Sequence, residues 1–251
     1  ISMFYAPSRL PVKVASGNML VRNETLFLNK LNAQFGEMPI LVDGKISNIY
    51  KDPNLSIYVN AKPTQEFMDQ FFNNRALYPI KMKGDINAAS KISGPLNNLT
   101  MLSELNVEAD SRIYYMGSTI GDPQYPVKIT TDAVYSPTRV RINNLQYDKM
   151  ISSQNNKANI IPQLNASGTL TLLPENNVGF QNFRIKTQAP TDAKIFNIIF
   201  RKPIMKQGIF NSDLVINGTA FAPRVLGTLE VNSIDMPFFD STIKDINLEF
   251  K

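Results

Sequence analysis

Residue types able to do covalent or metal chemistry are nearly all missing from this 251-residue sequence, which contains no Cys, no His and no Trp. The chain therefore has no thiol nucleophile, no imidazole base, and no histidine or thiolate ligand for a metal. The carboxylate pairs Asp235/Asp240 and Glu104/Glu108 have the residue type of a glycosidase acid/base pair, but nothing in the sequence clusters them, and solvated surface is the simpler interpretation. We predict a protein that is not an enzyme and that has no cofactor and no metal.

The charges argue against a nucleic-acid partner. The sequence has 26 Lys and Arg against 21 Asp and Glu, a formal net charge of +5, and the cations are scattered. A nucleic-acid-binding domain usually concentrates them in one patch. Apolar residues make up 43% of the chain, enough for a substantial core, but no apolar run approaches the roughly 20 residues of a membrane helix.

Most of the chain alternates apolar and polar residues, which predicts strands with one apolar face. Asn, Gly, Pro and Asp residues separate these runs, as is typical of an antiparallel meander. We predict a mainly β protein whose apolar strand faces line one shared groove. The residues predicted to line it are Leu55, Ile57, Val59, Leu105, Val107, Leu214, Ile216, Leu229, Val231, Ile246, Leu248 and Phe250.

Two stretches follow helical spacing instead. In residues 64–74, Thr64 can cap a helix whose apolar residues recur every three or four positions. Residues 191–201 repeat this arrangement, with Thr191 or Asp192 as the cap. We interpret both as short amphipathic helices packed on the sheet; for the first, contact with a membrane is the alternative.

An internal repeat is indicated by matches at a constant separation. Each copy has the order strands, helix, strands, and the boundary falls near residues 120–126. This predicts two tandem units, residues 1–122 and 123–251, that share one continuous sheet. The matched residues, each pair 124 positions apart, are Gly84 and Gly208, Asn87 and Asn211, Gly94 and Gly218, and Val107 and Val231.

The run at residues 212–231, SDLVINGTAFAPRVLGTLEV, ends one strand with Gly-Thr and opens the next with Pro-x-Val-x-Gly-x-Leu. With its sequel at residues 234–250, IDMPFFDSTIKDINLEF, it resembles a recurring element of the AsmA-like/TamB superfamily. Residues 29–46 resemble another element of these proteins. The likeness covers most of both predicted copies, although residues 95–98 of the first copy depart from the pattern.

This resemblance implies a protein of the bacterial cell envelope, located in the periplasm and attached to the inner membrane by an anchor outside this segment. Proteins of the superfamily are thought to form a long, curled antiparallel sheet, an open or taco-like β-groove, that bridges two membranes and conducts phospholipid. Some are instead linked to the assembly of outer-membrane β-barrel proteins. The expected partners are therefore phospholipid acyl chains, and an outer-membrane β-barrel protein as a second possibility.

Three functions stay open on the sequence alone. A groove that binds and conducts phospholipid is favoured, because each buried CH₂ group gains about 0.8 kcal/mol and needs no specific polar site. A scaffold or chaperone module would instead bind β-strand proteins through the edges of its sheet. A plain β-sandwich surface domain would fill the same apolar interior with its own side chains.

Overall fold

The computed structural model describes residues 2–5, 10–71, 79–152, 158–174, 177–200, 205–235 and 243–250. Within these ranges the protein is mainly β-structure, as predicted. The strands are β1 (Ser2–Tyr5), β2 (Leu10–Arg22), β3 (Thr25–Phe35), β4 (Met38–Ser47), β5 (Asn54–Ala61), β6 (Lys81–Lys83), β7 (Ile86–Pro95), β8 (Leu99–Val107), β9 (Arg112–Tyr115), β10 (Ser118–Ile120), β11 (Val127–Ser136), β12 (Arg139–Ser152), β13 (Ala158–Leu172), β14 (Val178–Thr187), β15 (Thr191–Asp192), β16 (Gln207–Thr219), β17 (Ala222–Asp235) and β18 (Ile243–Phe250). The helices are α1 (Gln65–Phe71) and α2 (Ile195–Phe200).

Most of the strands form one large antiparallel sheet. Among the described residues it contains fifteen strands, and its path runs from β1 to β5, through β7 and β8, then β11 to β14, and ends with β16 to β18. The short strand β15 pairs beside β16, off this path. Because β1 and β18 are the two ends of the path, the sheet is open and is not closed into a barrel. Strands β6, β9 and β10 form a separate small sheet.

Three insertions interrupt the meander, and all of them leave the same end of the strands. Helix α1 and strand β6 lie between the paired strands β5 and β7. Strands β9 and β10 lie between the paired strands β8 and β11. Strand β15 and helix α2 lie between the paired strands β14 and β16. At the other end of the strands, short turns join one strand to the next.

The small sheet packs on one face of the large sheet. Ile86, Val107 and Val127, which begin or end strands β7, β8 and β11, are buried together, and Ile113 and Ile120 of the small sheet pack against them. This contact removes apolar side chains of both sheets from water, which is the main force that holds the insertion in place.

Helix α1 begins as the sequence predicts. The Phe67 backbone N–H donates a hydrogen bond to Thr64 Oγ1 at 3.1 Å, which satisfies one of the free N–H groups of the first turn. Phe67 is buried, and its ring lies 5.5 Å from the ring of Phe35 on β3. The helix therefore packs on the sheet. The last residues of the predicted helix, 72–74, lie outside the described residues.

Helix α2 begins later than predicted. Thr191 and Asp192, both predicted caps of a helix over residues 191–201, are strand β15 and pair with β16. This pairing gives their backbone groups partners in the sheet, so the helix begins only at residue 195. Asp192 still stabilises the turn before the helix, because its Oδ1 accepts a hydrogen bond from Lys194 N–H at 2.9 Å.

Bulges interrupt several strand pairs. Asn182 lies in one of them, with a left-handed φ of 47°, and its N–H donates to Asn217 Oδ1 at 2.8 Å. Lys30 lies in another, with a φ of 45°, and its N–H donates to Asp43 Oδ1 at 2.9 Å. Opposite Asn182, a Cβ on Gly168 would lie 2.5 Å from the Asn182 carbonyl oxygen, so only glycine fits. Bulges and strand glycines of this kind bend a sheet and increase its twist.

Asn197 of α2 connects three parts of the chain. Its buried side chain donates from Nδ2 to the carbonyl oxygens of Met116, at 3.0 Å, and Met205, at 2.8 Å. Its Oδ1 accepts from Met205 N–H at 2.7 Å. The β9–β10 turn, the helix and the segment before β16 are therefore joined through one side chain.

We expect Asn197→Leu to lower the free energy of unfolding by about 2–4 kcal/mol, because each buried backbone group that loses its partner costs roughly 1–3 kcal/mol. Urea denaturation measures this change. The control is Asn143→Leu, because the exposed Asn143 Nδ2 donates to Asp132 Oδ1 at 3.0 Å and its loss is expected to change stability by no more than about 0.5 kcal/mol. Equal losses in the two variants would contradict this role of Asn197.

Candidate functional site

The twelve residues predicted to line a groove lie on one face of the large sheet. Residues that pair directly across neighbouring antiparallel strands project to the same face. Leu229 pairs with Leu248, and Val231 pairs with Ile246. Direct pairs across each intervening strand connect Leu55 on β5 with the same face of β17 and β18.

Their burial differs along this face. Leu248 is 41% exposed and lies on β18, which among the described strands has a neighbour on one side only. Ile246 is placed by its backbone pairing alone. Of the remaining ten, the buried residues are Val107, Leu214, Ile216 and Val231, and the half-buried residues are Leu55, Ile57, Val59, Leu105, Leu229 and Phe250.

A cavity of about 460 Å³ lies against the same face, over strands β11 to β14. Its floor comes from four consecutive strands, which contribute six apolar residues and the polar residues Tyr147, Lys149 and Gln163. Successive strands contribute Ile129, Leu145, Leu164, Ala166, Phe183 and Ile185.

The insertions form the opposite wall of this cavity. Ile120 at the end of β10 and the following Pro123 line one side, and Ile195 and Ile198 of α2 line another. Pro190, just before β15, also lines the cavity. The cavity is therefore the space that remains where the small sheet and α2 cover the large sheet incompletely.

Polar groups lie at the rim of the cavity. Lys149 Nζ is 2.8 Å from the Asp122 carboxylate, and Arg112 donates to the carbonyl oxygen of Asp122 at 2.8 Å. Burial alone would raise the pKa of the Asp122 carboxyl, but hydrogen bonds from Lys149 and from the backbone N–H groups of Gln124 and Tyr125 outweigh it and hold the pKa below its usual value. These contacts tie the segment after β10 to strand β12 and leave both cations with partners.

Tyr147 brings a phenol group into the cavity wall. Its burial, and then the nearby carboxylates of Asp122 and Asp192, raise the pKa of the hydroxyl to about 12. The group therefore stays neutral across the physiological range. A neutral phenol can exchange a hydrogen bond with a polar atom of a ligand but is not a base for catalysis at neutral pH.

A second, smaller cavity of about 300 Å³ adjoins the first on the same face. Val59 and Leu105, two of the twelve predicted residues, line it, and Ile129 lines both cavities. Its wall also includes Ser90 and Ser103, whose hydroxyl oxygens are 2.8 Å apart in a hydrogen bond. The apolar space thus continues from β14 toward β5.

The larger cavity was not predicted from the sequence, because none of the twelve predicted residues lines it. On β13 and β14 the apolar floor residues alternate with polar ones, at Leu164 and Ala166 and at Phe183 and Ile185. This alternation predicts an apolar face but does not predict that a cavity lies over it. The spacing of neighbouring residues also does not predict that α2 lies close to this face.

Within the described residues no group of three or more Asp or Glu side chains could hold a metal ion. No described helix is both long enough and apolar enough to cross a membrane.

Comparisons with protein-family models, curated proteins and solved structures find no significant match. The functional interpretation therefore depends on the site itself, which is an apolar space with a neutral phenol in its wall and an ion pair at its rim.

We expect Asp122→Asn to lower the free energy of unfolding by about 1 kcal/mol at pH 7, the scale of a partly exposed ion pair. Because the pKa of Asp122 is depressed in the folded protein, its contribution is present above about pH 4 and is lost as the pH falls through the folded value. Urea denaturation across this range should show the difference from the unmodified protein shrinking in acid.

The control is Asp110→Asn. Asp110 lies 3.7 Å from Lys83, and both side chains are largely exposed, so its replacement should change stability little at any pH. A deficit of Asp122→Asn that stays constant from neutral to acid pH would show that the ion pair isn't its source.

Proposed function

We propose that the protein binds the acyl chains of lipids in the apolar space between its large sheet and its insertions. The observation that carries this proposal is the 460 Å³ cavity, whose floor from four strands is mostly apolar, with the neutral phenol of Tyr147 in its wall and the Asp122–Lys149 ion pair at its rim. Its volume lies within the roughly 300–1,000 Å³ of small-molecule pockets. A hydrocarbon chain inside it would touch Leu164, Phe183 and Ile185, while its polar end would lie beside the rim.

In the same proposal the protein is a segment of an AsmA-like/TamB-like protein of the periplasm that conducts phospholipid between membranes. The support is the continuity of the apolar face from β5 to β18 and of the two adjoining cavities. The bulges at Lys30 and Asn182 favour a sheet curled around that face. A plain β-sandwich domain is less favoured, because its own side chains would fill this space.

We further propose that the chain is a tandem duplication, residues 1–122 and 123–251. In support, the order of four strands, a helix and two strands occurs in β2 to β8 and again in β11 to β17, with β6 and β15 as the short additional strands. Gly94 and Gly218 occupy equivalent places, each next to last in its strand. A Cβ on Gly94 would lie 2.6 Å from the carbonyl oxygen of Asn98, and one on Gly218 would lie 2.5 Å from that of Ala222.

A scaffold that binds other β-strand proteins is the second candidate. The observation in its favour is β18, which among the described strands pairs with β17 alone and which carries the exposed Leu248. An edge strand of this kind can accept an added strand through its backbone groups. This function depends on the edge and not on the cavity, so the two candidates respond to different substitutions.

We expect Ala166→Leu to reduce the phospholipid that co-purifies with the protein, because the larger side chain occupies the cavity floor. The cavity offers room, so the cost in stability should stay below about 3 kcal/mol. Native mass spectrometry after expression in bacteria counts the bound lipid. The matched control is Ala109→Leu, at an exposed position outside the cavity, where bound lipid should not change.

Circular dichroism would first establish that both variants are folded. A folded Ala166→Leu protein that carries as much lipid as Ala109→Leu would exclude the cavity as the binding site. Retention of binding to a β-strand protein in both variants would then favour the scaffold, because that function uses the edge at β18.

A further inference from the structure

One border of the large sheet, called the turn border here, is formed by the short turns between strands. It is one continuous border because neighbouring hairpins also pair with each other: Asn54 pairs with Pro95, and Gly179 pairs with Thr219. Strands lie about 4.8 Å apart, so one hairpin follows another roughly every 10 Å. The residue pairs nearest the turn in its six hairpins are Arg22–Thr25, Ser47–Asn54, Ser93–Thr100, Ser136–Arg139, Leu172–Val178 and Thr219–Ala222.

Large apolar side chains are exposed at five of these six hairpins. Single exposed apolar residues are common on any protein, but here they recur along one border, at turns where polar residues are usual. The most exposed is Tyr50, at 74%, followed by Phe221 at 63%. The complete set among the described residues is Leu20, Val21, Tyr50, Leu96, Leu172 and Phe221.

The charges of the same border are mostly positive. In the turns and within two residues of the strand ends that flank them, the described part of the chain has six exposed cations and two exposed carboxylates, a net charge of +4 for these residues. The carboxylates are Glu24 and Asp52. The cations are Arg22, Lys45, Lys51, Arg139, Arg141 and Arg224.

We propose that the turn border docks on the surface of a membrane that contains anionic phospholipid. Apolar and aromatic tips would enter the interfacial layer of the bilayer, and the cations between them would lie at the phosphate groups. The spacing favours a membrane over a protein partner, because apolar tips roughly 10 Å apart do not form the contiguous apolar centre of a protein interface, where Lys is also depleted. The proposal does not rest on lipid binding in the cavity.

The absence of Trp from the chain permits a direct test with one introduced fluorophore. Tyr50→Trp places it on the turn border. Tyr114→Trp is the matched control, because Tyr114 is also exposed, at 42%, but lies on the small sheet at the insertion end. With vesicles of phosphatidylcholine and phosphatidylglycerol, the emission of Tyr50→Trp should shift to shorter wavelength and be quenched by brominated acyl chains. The emission of Tyr114→Trp should do neither.

A second pair of variants tests the charges. Replacing Arg22, Lys51 and Arg224 together by Gln should weaken vesicle partitioning on the order of fivefold per cation removed. The control replaces Lys62, Lys81 and Lys83 by Gln, three exposed cations at the insertion end, and changes the net charge equally. Partitioning of this control should fall much less.

Three results would overturn the proposal: no partitioning of the unmodified protein onto anionic vesicles, equal emission shifts at positions 50 and 114, or equal losses in the two triple variants. The last result would mean that net charge alone drives the association. Ala166→Leu should leave partitioning unchanged, so failure of the cavity to hold lipid and failure of the border to dock are measured separately.

Discussion

The apolar face of an open sheet is the constraint on which the rest of this structure depends. Exposure of an apolar face to water is unfavourable, so a stable sheet buries this face against another structural element. Here the chain itself supplies the cover, through helix α1, the small sheet and helix α2, all of which come from insertions between strands that are paired in the sheet. The cover is incomplete over β11 to β14, and the uncovered part is the cavity.

The same arrangement makes the two ends of the strands different. All three described insertions leave one end, where Phe67, Ile113 and Phe196 pack on the sheet. The other end has only short turns, with no inserted element to cover the apolar side chains that project there. Tyr50 and Phe221 therefore remain exposed at the turn border because the described insertions all lie at the other end of the strands.

The sequence predicts those features that depend on neighbouring residues. Strand alternation, the common face of Leu229 and Leu248, and the cap at Thr64 all follow from local spacing. Features that depend on distant residues were not predictable in this way. Thr191 has the local properties of a helix cap, but β16 offers it a strand partner. The larger cavity depends on α2 lying over β13 and β14, and the spacing of neighbouring residues does not predict that contact.

The chemistry of the cavity and that of the turn border complement each other. In the proposed function, binding inside the cavity would depend on apolar area, so it would select for hydrocarbon but would distinguish poorly between acyl chains. At the rim, Lys149 is paired with Asp122 and Arg112 donates to backbone carbonyls, so these cations are already engaged. Recognition of an anionic headgroup would therefore need other cations. In the proposed docking, the exposed arginines and lysines of the turn border would provide it at a membrane surface, and contact with the bilayer would be separate from storage of the hydrocarbon chain.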